Sequence, residues 1–105
     1  MIISAGYRIG PFEVESACLE HPAVREAAAV ASPEETRGNV VKAFLVVAEG
    51  HEPSDELAQD IKAVVRANLG AHAYPRRIEF VDDLPKTLTG KIRRIELRQR
   101  EAERH

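Results

Sequence analysis

The feature that most constrains the fold is the segment Val40 to Ala48, of strand length and apolar except at Lys42, which the Glu49-Gly50 turn ends abruptly. Beyond that turn the chain reads as a helix. Ser54 is placed as an N-cap, Asp55 and Glu56 occupy the first turn, and Leu57, Ile61, Val64, Val65 and Leu69 fall at helical spacing before Gly70 stops the pattern. Arg77 to Val81 alternates as a short strand. Upstream, Val24 to Ala31 is alanine-rich and ambiguous by periodicity. Its length and the Ser32-Pro33 turn expected after it favour a strand over a helix.

The ends of the chain are organised differently. Ile2 to Ile9 reads as an extended hairpin or loop broken by Gly6, and Gly10-Pro11 offers a helix start with Pro11 as first helical residue. Glu13 sits in that first turn, where the helix dipole favours a carboxylate, and is expected to link helix start and sheet. Val14, Ala17 and Cys18 form the buried stripe, and Pro22 stops the helix. Asp82 to Gly90 reads as loop, and Ile92 onward as a helix anchored by Ile92, Ile95 and Leu97. The order strand, helix, strand, strand, helix, strand, helix predicts an α+β domain, with a small sheet of about three main strands covered by helices. Residues 1–105 are read as one domain, long enough to bury roughly two-thirds of the unfolded surface.

Composition excludes several function classes. With 44% apolar and 30% charged residues and a net charge of -2, the chain is expected to be globular rather than disordered, and nucleic acid is not an expected partner. Ala43 to Ala48 is the longest apolar run, far short of the roughly 18 residues of a membrane span. No basic leader followed by an apolar stretch opens the sequence, and the chain is read as cytoplasmic. Cys18 is the single cysteine, so it has no disulfide partner within the chain, and its place on an apolar stripe reads as a buried thiol rather than a nucleophile. His21, His51, His72 and His105 have no metal-ligand spacing and read as surface or cap histidines, so no metal site is expected. Ser4 lacks a nucleophile elbow, and Asp82 and Asp83 point to different sides of a turn. Seven of the 15 Lys and Arg residues (Lys86, Lys91, Arg93, Arg94, Arg98, Arg100, Arg104) lie in the last twenty positions. Glu96, Glu101 and Glu103 are interspersed, which reads as solvated helix surface, the alternative being a basic binding patch.

No complete catalytic constellation is present, yet Lys91 stands out behind Gly90 in Leu84-Pro85-Lys86-Thr87-Leu88-Thr89-Gly90-Lys91-Ile92-Arg93-Arg94. A P-loop would need glycine where Pro85 stands and Ser or Thr where Ile92 stands, so this is not one. Two readings are open: a solvated turn residue, or an ammonium on a long stem that reaches an anion on another body of protein.

A second segment, Ile2-Ile3-Ser4-Ala5-Gly6-Tyr7-Arg8-Ile9-Gly10-Pro11-Phe12-Glu13-Val14-Glu15, bears on that choice. Together with Tyr74-Pro75-Arg76, the two segments resemble, in order and nearly in spacing, the signatures of the C-terminal domain of AMP-forming acyl-CoA synthetases. The medium-chain branch is the nearest, and the resemblance covers the whole chain. It implies the small, mobile domain of a ligase that joins a carboxylic acid to ATP as acyl-AMP and then passes the acyl group to CoA. The large N-terminal domain that binds ATP, its Mg2+ and the acid would be absent, and the chain inactive alone. By the same resemblance, Lys91 is the adenylation lysine, and the loop carrying Gly6, Tyr7 and Arg8 enters the site during thioester formation. Arg8, Arg37, Arg66 and Tyr74 match positions that contact the CoA nucleotide. Gly6 then lets backbone pass close to the pantetheine channel, although it also suits a tight turn, and Tyr7 also suits a half-buried sheet position. Arg37 and Arg66 read equally well as solvated charges. Partners implied are the N-terminal domain, the acid and CoA, with a lysine acetyltransferase and deacetylase acting on Lys91. Two other readings stand beside this one: a stand-alone interaction module acetylated at Lys91, and the adenylation subdomain of a peptide synthetase.

Overall fold

A computed structural model describes residues 2–4, 7–36, 38–71 and 73–104. Gly6, Arg37, His72 and His105 lie outside the described residues. The elements run β1 (Ile2–Ser4), β2 (Tyr7–Ile9), α1 (Pro11–Leu19), β3 (Val24–Glu34), β4 (Gly38–Val47), α2 (Asp55–Leu69), β5 (Arg77–Phe80) and α3 (Arg94–Arg104). The architecture is α+β, as the element order implied. β1 and β2 form an antiparallel hairpin, while β3, β4 and β5 form a second sheet in that order, antiparallel between β3 and β4 and parallel between β4 and β5. The parallel pair follows from α2, which carries the chain back across the sheet before β5 begins.

Successive side chains of a strand point to opposite faces, and here both faces are apolar. Ala27 and Ala29 of β3 with Val41, Ala43 and Leu45 of β4 face a core that also holds Val14, Ala17 and Cys18 of α1, Ile61 and Val65 of α2, and Ile2 and Ile9 of the hairpin. Ala28, Val30, Phe44 and Val46 point the other way, to Leu84 and to Leu97 of α3. Covering on both sides explains why Ala27 to Ala31 and Ala43 to Ala48 read as continuous apolar runs rather than alternating ones. Helix α2 has the expected ends: the Ser54 hydroxyl accepts from Leu57 N at 3.0 Å, and Gly70, at φ 97, donates its amide to Arg66 O at 2.8 Å.

Several expectations are corrected. The first is the turn at Ser32-Pro33: β3 continues to Glu34, with Pro33 opposite Asn39. A proline is tolerated there because β3 is an edge strand, whose outer side needs no amide donor. The second is Glu13, which is exposed, whereas Glu15 is buried and links helix to sheet by accepting from Ala29 N at 2.8 Å and pairing with Arg94. That pairing holds the Arg94 guanidinium above its usual pKa, the Glu15 hydrogen bond being the main cause. Arg94 also lies over the Phe12 ring at 4.5 Å.

The third concerns α3, which starts at Arg94 rather than Ile92. Its inward face is Arg94, Leu97 and Glu101, spaced i, i+3, i+7; Ile95, two residues before Leu97, is turned away and stays 55% exposed. Glu101 is fully buried, not solvated. Its carboxylate accepts from Lys42 Nζ at 2.7 Å and from Ser32 Oγ at 2.5 Å, Lys42 also reaches Glu79 at 2.9 Å, and Arg77 donates to Ser32 Oγ at 2.5 Å and to Pro33 O at 2.9 Å. Lys42 stands between Val41 and Ala43 on a central strand, so its ammonium arrives in the core with the strand and requires an anion there.

His21 is likewise not a surface residue but buried. Its Nδ1 accepts from Ala23 N at 3.0 Å, so that nitrogen carries no proton, and Nε2 donates to Asp60 on α2 at 2.5 Å. Cys18 is fully buried; burial, with a smaller contribution from the Glu15 charge, pushes its thiol from 9.0 up to about 12. The folded chain therefore holds this proton more tightly than the unfolded one. Stability contributed by the neutral thiol is complete below pH 9 and is lost as pH rises toward 12. At neutral pH Cys18 should be silent to a thiol reagent such as a disulfide chromophore until denaturant is added, whereas rapid labelling of the native chain would contradict the packing.

Candidate functional site

The segment around Lys91 is a tight reverse turn rather than an open loop. Lys86 and Ile92 form an isolated antiparallel bridge, Thr87 N donates to Lys91 O at 2.8 Å, Gly90 N to Thr87 O at 2.9 Å, and Arg93 N to Pro85 O at 2.7 Å. The Thr87 hydroxyl accepts from Lys91 N at 3.2 Å and lies 2.9 Å from the Thr89 hydroxyl. Gly90 has φ 85, and a Cβ there would meet nothing within 4 Å, so its requirement is the left-handed backbone itself. Below the turn, Leu84 and Ile92 pack against the Phe44 and Leu97 cluster.

The two lysines of the turn are used differently. Lys86 is tied to Glu26 of β3 and lies 3.5 Å from Asp83, and the Glu26 hydrogen bond raises its pKa. Lys91 is exposed, and none of the described side chains is paired with its ammonium. Beside it Leu88 is fully exposed. The turn thus holds one cation to fasten itself and projects the other into solvent.

The Gly6 segment is rooted elsewhere. The hairpin register is Ile2 to Ile9, Ile3 to Arg8 and Ser4 to Tyr7. Ile2 and Ile9 are buried in the cluster under α1 and α2, opposite the one that holds Leu84 and Ile92. The two segments singled out by the sequence are therefore anchored on opposite faces of one sheet. Arg8 is exposed; the expectations for Gly6 and for the Tyr7 side chain lie outside what is described.

Of the residues matched to CoA contacts, the fold brings Arg66 and Tyr74 together, while Arg37 lies outside the described residues. The Arg66 guanidinium sits 5.7 Å from the Tyr74 ring centre, and Arg76 sits 5.1 Å from the same ring. These three residues line a surface concavity of about 640 Å3 with Gln59 and Lys62, and no acidic side chain lines it. Sequence reasoning passed over Lys62 and Arg76. The available signal was that Gln59, Lys62 and Arg66 fall at i, i+3 and i+7 on α2, on the face away from the buried Ile61 and Val65.

Among the described residues no group of three or more His, Cys, Asp and Glu could hold a metal ion. No described helix is long and apolar enough to cross a membrane.

Comparison with known proteins identifies the family. The family model for the AMP-binding enzyme C-terminal domain matches residues 13–91. The 4-hydroxybutyrate--CoA ligase 1 of Metallosphaera sedula is 55% identical over 104 residues, which are 99% of this chain and 18% of that protein. The mitochondrial acyl-coenzyme A synthetase ACSM3 of Mus musculus is 48% identical over 103 residues, again with 18% of its length covered. A crystal structure of Brucella canis acyl-CoA synthetase superposes with a TM-score of 0.96 at 55% identity, over 98% of this chain and 19% of that one. The chain thus spans under a fifth of the curated relatives it matches.

Proposed function

This chain belongs to the AMP-binding enzyme C-terminal domain family, and we propose that it is the small, mobile domain of an AMP-forming acyl-CoA synthetase. It works beside a large domain that supplies the ATP and acid sites. In the first half-reaction a carboxylate oxygen bonds to the α-phosphorus of ATP and the bond to pyrophosphate breaks. Negative charge grows on the oxygens around phosphorus, and the Lys91 ammonium, delivered by the turn, stabilises it more in the transition state than in the ground state. In the second, the CoA sulfur bonds to the acyl carbon, its proton leaves, and AMP departs. The Gly6 loop then faces the large domain, with Gly6 giving room to the pantetheine arm and Tyr7 and Arg8 beside it. Arg8, Arg37, Arg66 and Tyr74 hold the nucleotide end.

The observation that carries this reading is the rooting of the Lys91 turn and the Gly6 hairpin on opposite faces of the sheet. A domain so built can present only one of them to a single partner surface at a time, which suits a reaction in two steps and two poses. Acetylation of Lys91 by a lysine acetyltransferase, reversed by a deacetylase, is the regulation this exposed ammonium invites. The site of action is proposed to be the cytoplasm.

The test is to assay the polypeptide that carries this chain with ATP, CoA and a panel of carboxylic acids, following pyrophosphate, AMP and thioester. All three products are expected from the whole polypeptide and none from residues 1–105 alone. Turnover by the 105 residues alone, or no pyrophosphate from the whole polypeptide with any acid, overturns the proposal.

A further inference from the structure

We infer that Glu15 and Arg94 are positioning residues for the adenylation step: their ion pair, closed around the outer edge of β3, fixes where the turn presents the Lys91 ammonium. The inference rests on the ligase reading for the role of Lys91, while the pair itself is read from the fold. Helices α1 and α3 pack on opposite faces of the sheet, through Val14, Ala17 and Cys18 on one side and Leu97 on the other. Glu15 and Arg94 nevertheless meet, because β3 is an edge strand and both side chains reach past it. The carboxylate holds the guanidinium side-on. Arg94 Nε donates to Glu15 Oε2 at 2.6 Å, Arg94 Nη2 donates to Oε1, and the Ala29 amide donates to Oε2 at 2.8 Å. The Phe12 ring, its centre 4.5 Å from the same guanidinium, adds a second contact from α1.

The place of Arg94 in the chain directs this grip to Lys91. Arg94 is the first residue of α3, and α3 begins where the turn ends. The other leg of the turn is tied by Lys86 to Glu26 of β3. The turn therefore stands on two ion pairs, one for each leg, with its base closed by the Lys86 to Ile92 bridge and by Arg93 N donating to Pro85 O. A lysine stem is flexible and sets no direction of its own, so the reach of an exposed ammonium is decided by the backbone that carries it. Misplacing a reacting group by about an ångström costs up to about a hundredfold in rate. Release of the downstream leg leaves the ammonium present but no longer aimed.

The experiment places Arg94→Ala, Arg94→Lys and Glu15→Gln in the polypeptide that carries this chain, each alone and together with Lys91→Ala. Glu15→Gln keeps an acceptor for Ala29 N and the side-chain volume, and so tests the pair even where Arg94→Ala does not fold. Pyrophosphate exchange is expected to slow about tenfold in Arg94→Ala and Glu15→Gln at an unchanged KM for ATP, with Arg94→Lys recovering part because an ammonium cannot replace the fork. Thioester formation from preformed acyl-adenylate should keep its rate. In the Lys91→Ala background the same substitutions should slow exchange no further, since no ammonium is left to aim. An unchanged exchange rate, a loss of equal factor with and without Lys91, or equal loss in both half-reactions overturns the inference and leaves the ligase reading intact. If no acid supports pyrophosphate exchange in the parent protein, the ligase reading fails instead. The pair is then judged by amide hydrogen exchange at Thr87 and Gly90, whose N–H groups close the turn. Exchange about tenfold faster in Glu15→Gln and Arg94→Ala supports it, and unchanged exchange overturns it.

Discussion

A Lys91→Ala variant of the polypeptide that carries this chain is expected to form acyl-adenylate about a hundredfold or more slowly, while converting preformed acyl-adenylate and CoA to thioester at close to the parental rate. The magnitude follows from removing one charge-assisted contact made chiefly in the transition state, worth about 3 kcal/mol. The selectivity follows from the fold, since the ammonium is exposed, unpaired among the described side chains, and rooted on the sheet face opposite the Gly6 hairpin. The fold should be untouched because the turn's hydrogen bonds use the Lys91 backbone and the Thr87 hydroxyl, none of which the substitution removes. Acetylation of Lys91 should act in the same direction by neutralising the charge. Pyrophosphate exchange and thioester formation, measured separately, decide the matter. Equal loss in both steps, or loss in neither, would return Lys91 to the role of a solvated turn residue.

Glu101→Ala is expected to cost about 3 to 5 kcal/mol of stability, the range for breaking a buried ion pair on one side. A domain of this size holds a margin of about 5 to 15 kcal/mol, so the variant should melt far below the parent and lose α3 from the sheet first. Glu101 accepts from both Lys42 and Ser32, and its removal leaves Lys42, a residue only 6% exposed, with Glu79 as the remaining carboxylate. The companion experiment is Lys42→Met with Glu101→Leu, which removes both charges and restores apolar volume. Recovery of most of the loss is expected, because the penalty comes from the stranded charge and not from an absent attraction. Denaturant unfolding of the parent, Glu101→Ala, Lys42→Met, Glu101→Leu and the double variant supplies both the loss and the cycle. A Glu101→Ala chain as stable as the parent would show that the carboxylate is not engaged as described.

These outcomes separate two kinds of information in the chain. Strand and helix identities were legible because they rest on local order: Ser54 and Gly70 bracket α2, Gly10-Pro11 opens α1, and the apolar runs around Ala28 and Phe44 are too short for helices that would be covered on all sides. The turn at Gly90 was legible for the same reason, and so was the prominence of Lys91, through the motif in which it sits. What misled was polarity taken residue by residue. Glu101 reads as surface, Ile95 as core and Glu13 as the link to the sheet, yet helical phase turns Ile95 outward beside a buried Leu97, and Glu15 rather than Glu13 meets Ala29. Lys86 and Lys91 are both lysines of one turn, and the hydrogen bond from Lys86 to Glu26, distant in sequence on β3, makes the first an anchor, while the second is left available. Arg76 joins Arg66 for a similar reason, through a Tyr74 ring that reaches both guanidinium groups. Periodicity and capping are properties of neighbours along the chain and can be read there; whether a charge is buried, fastened or exposed depends on groups that only the folded sheet brings within reach.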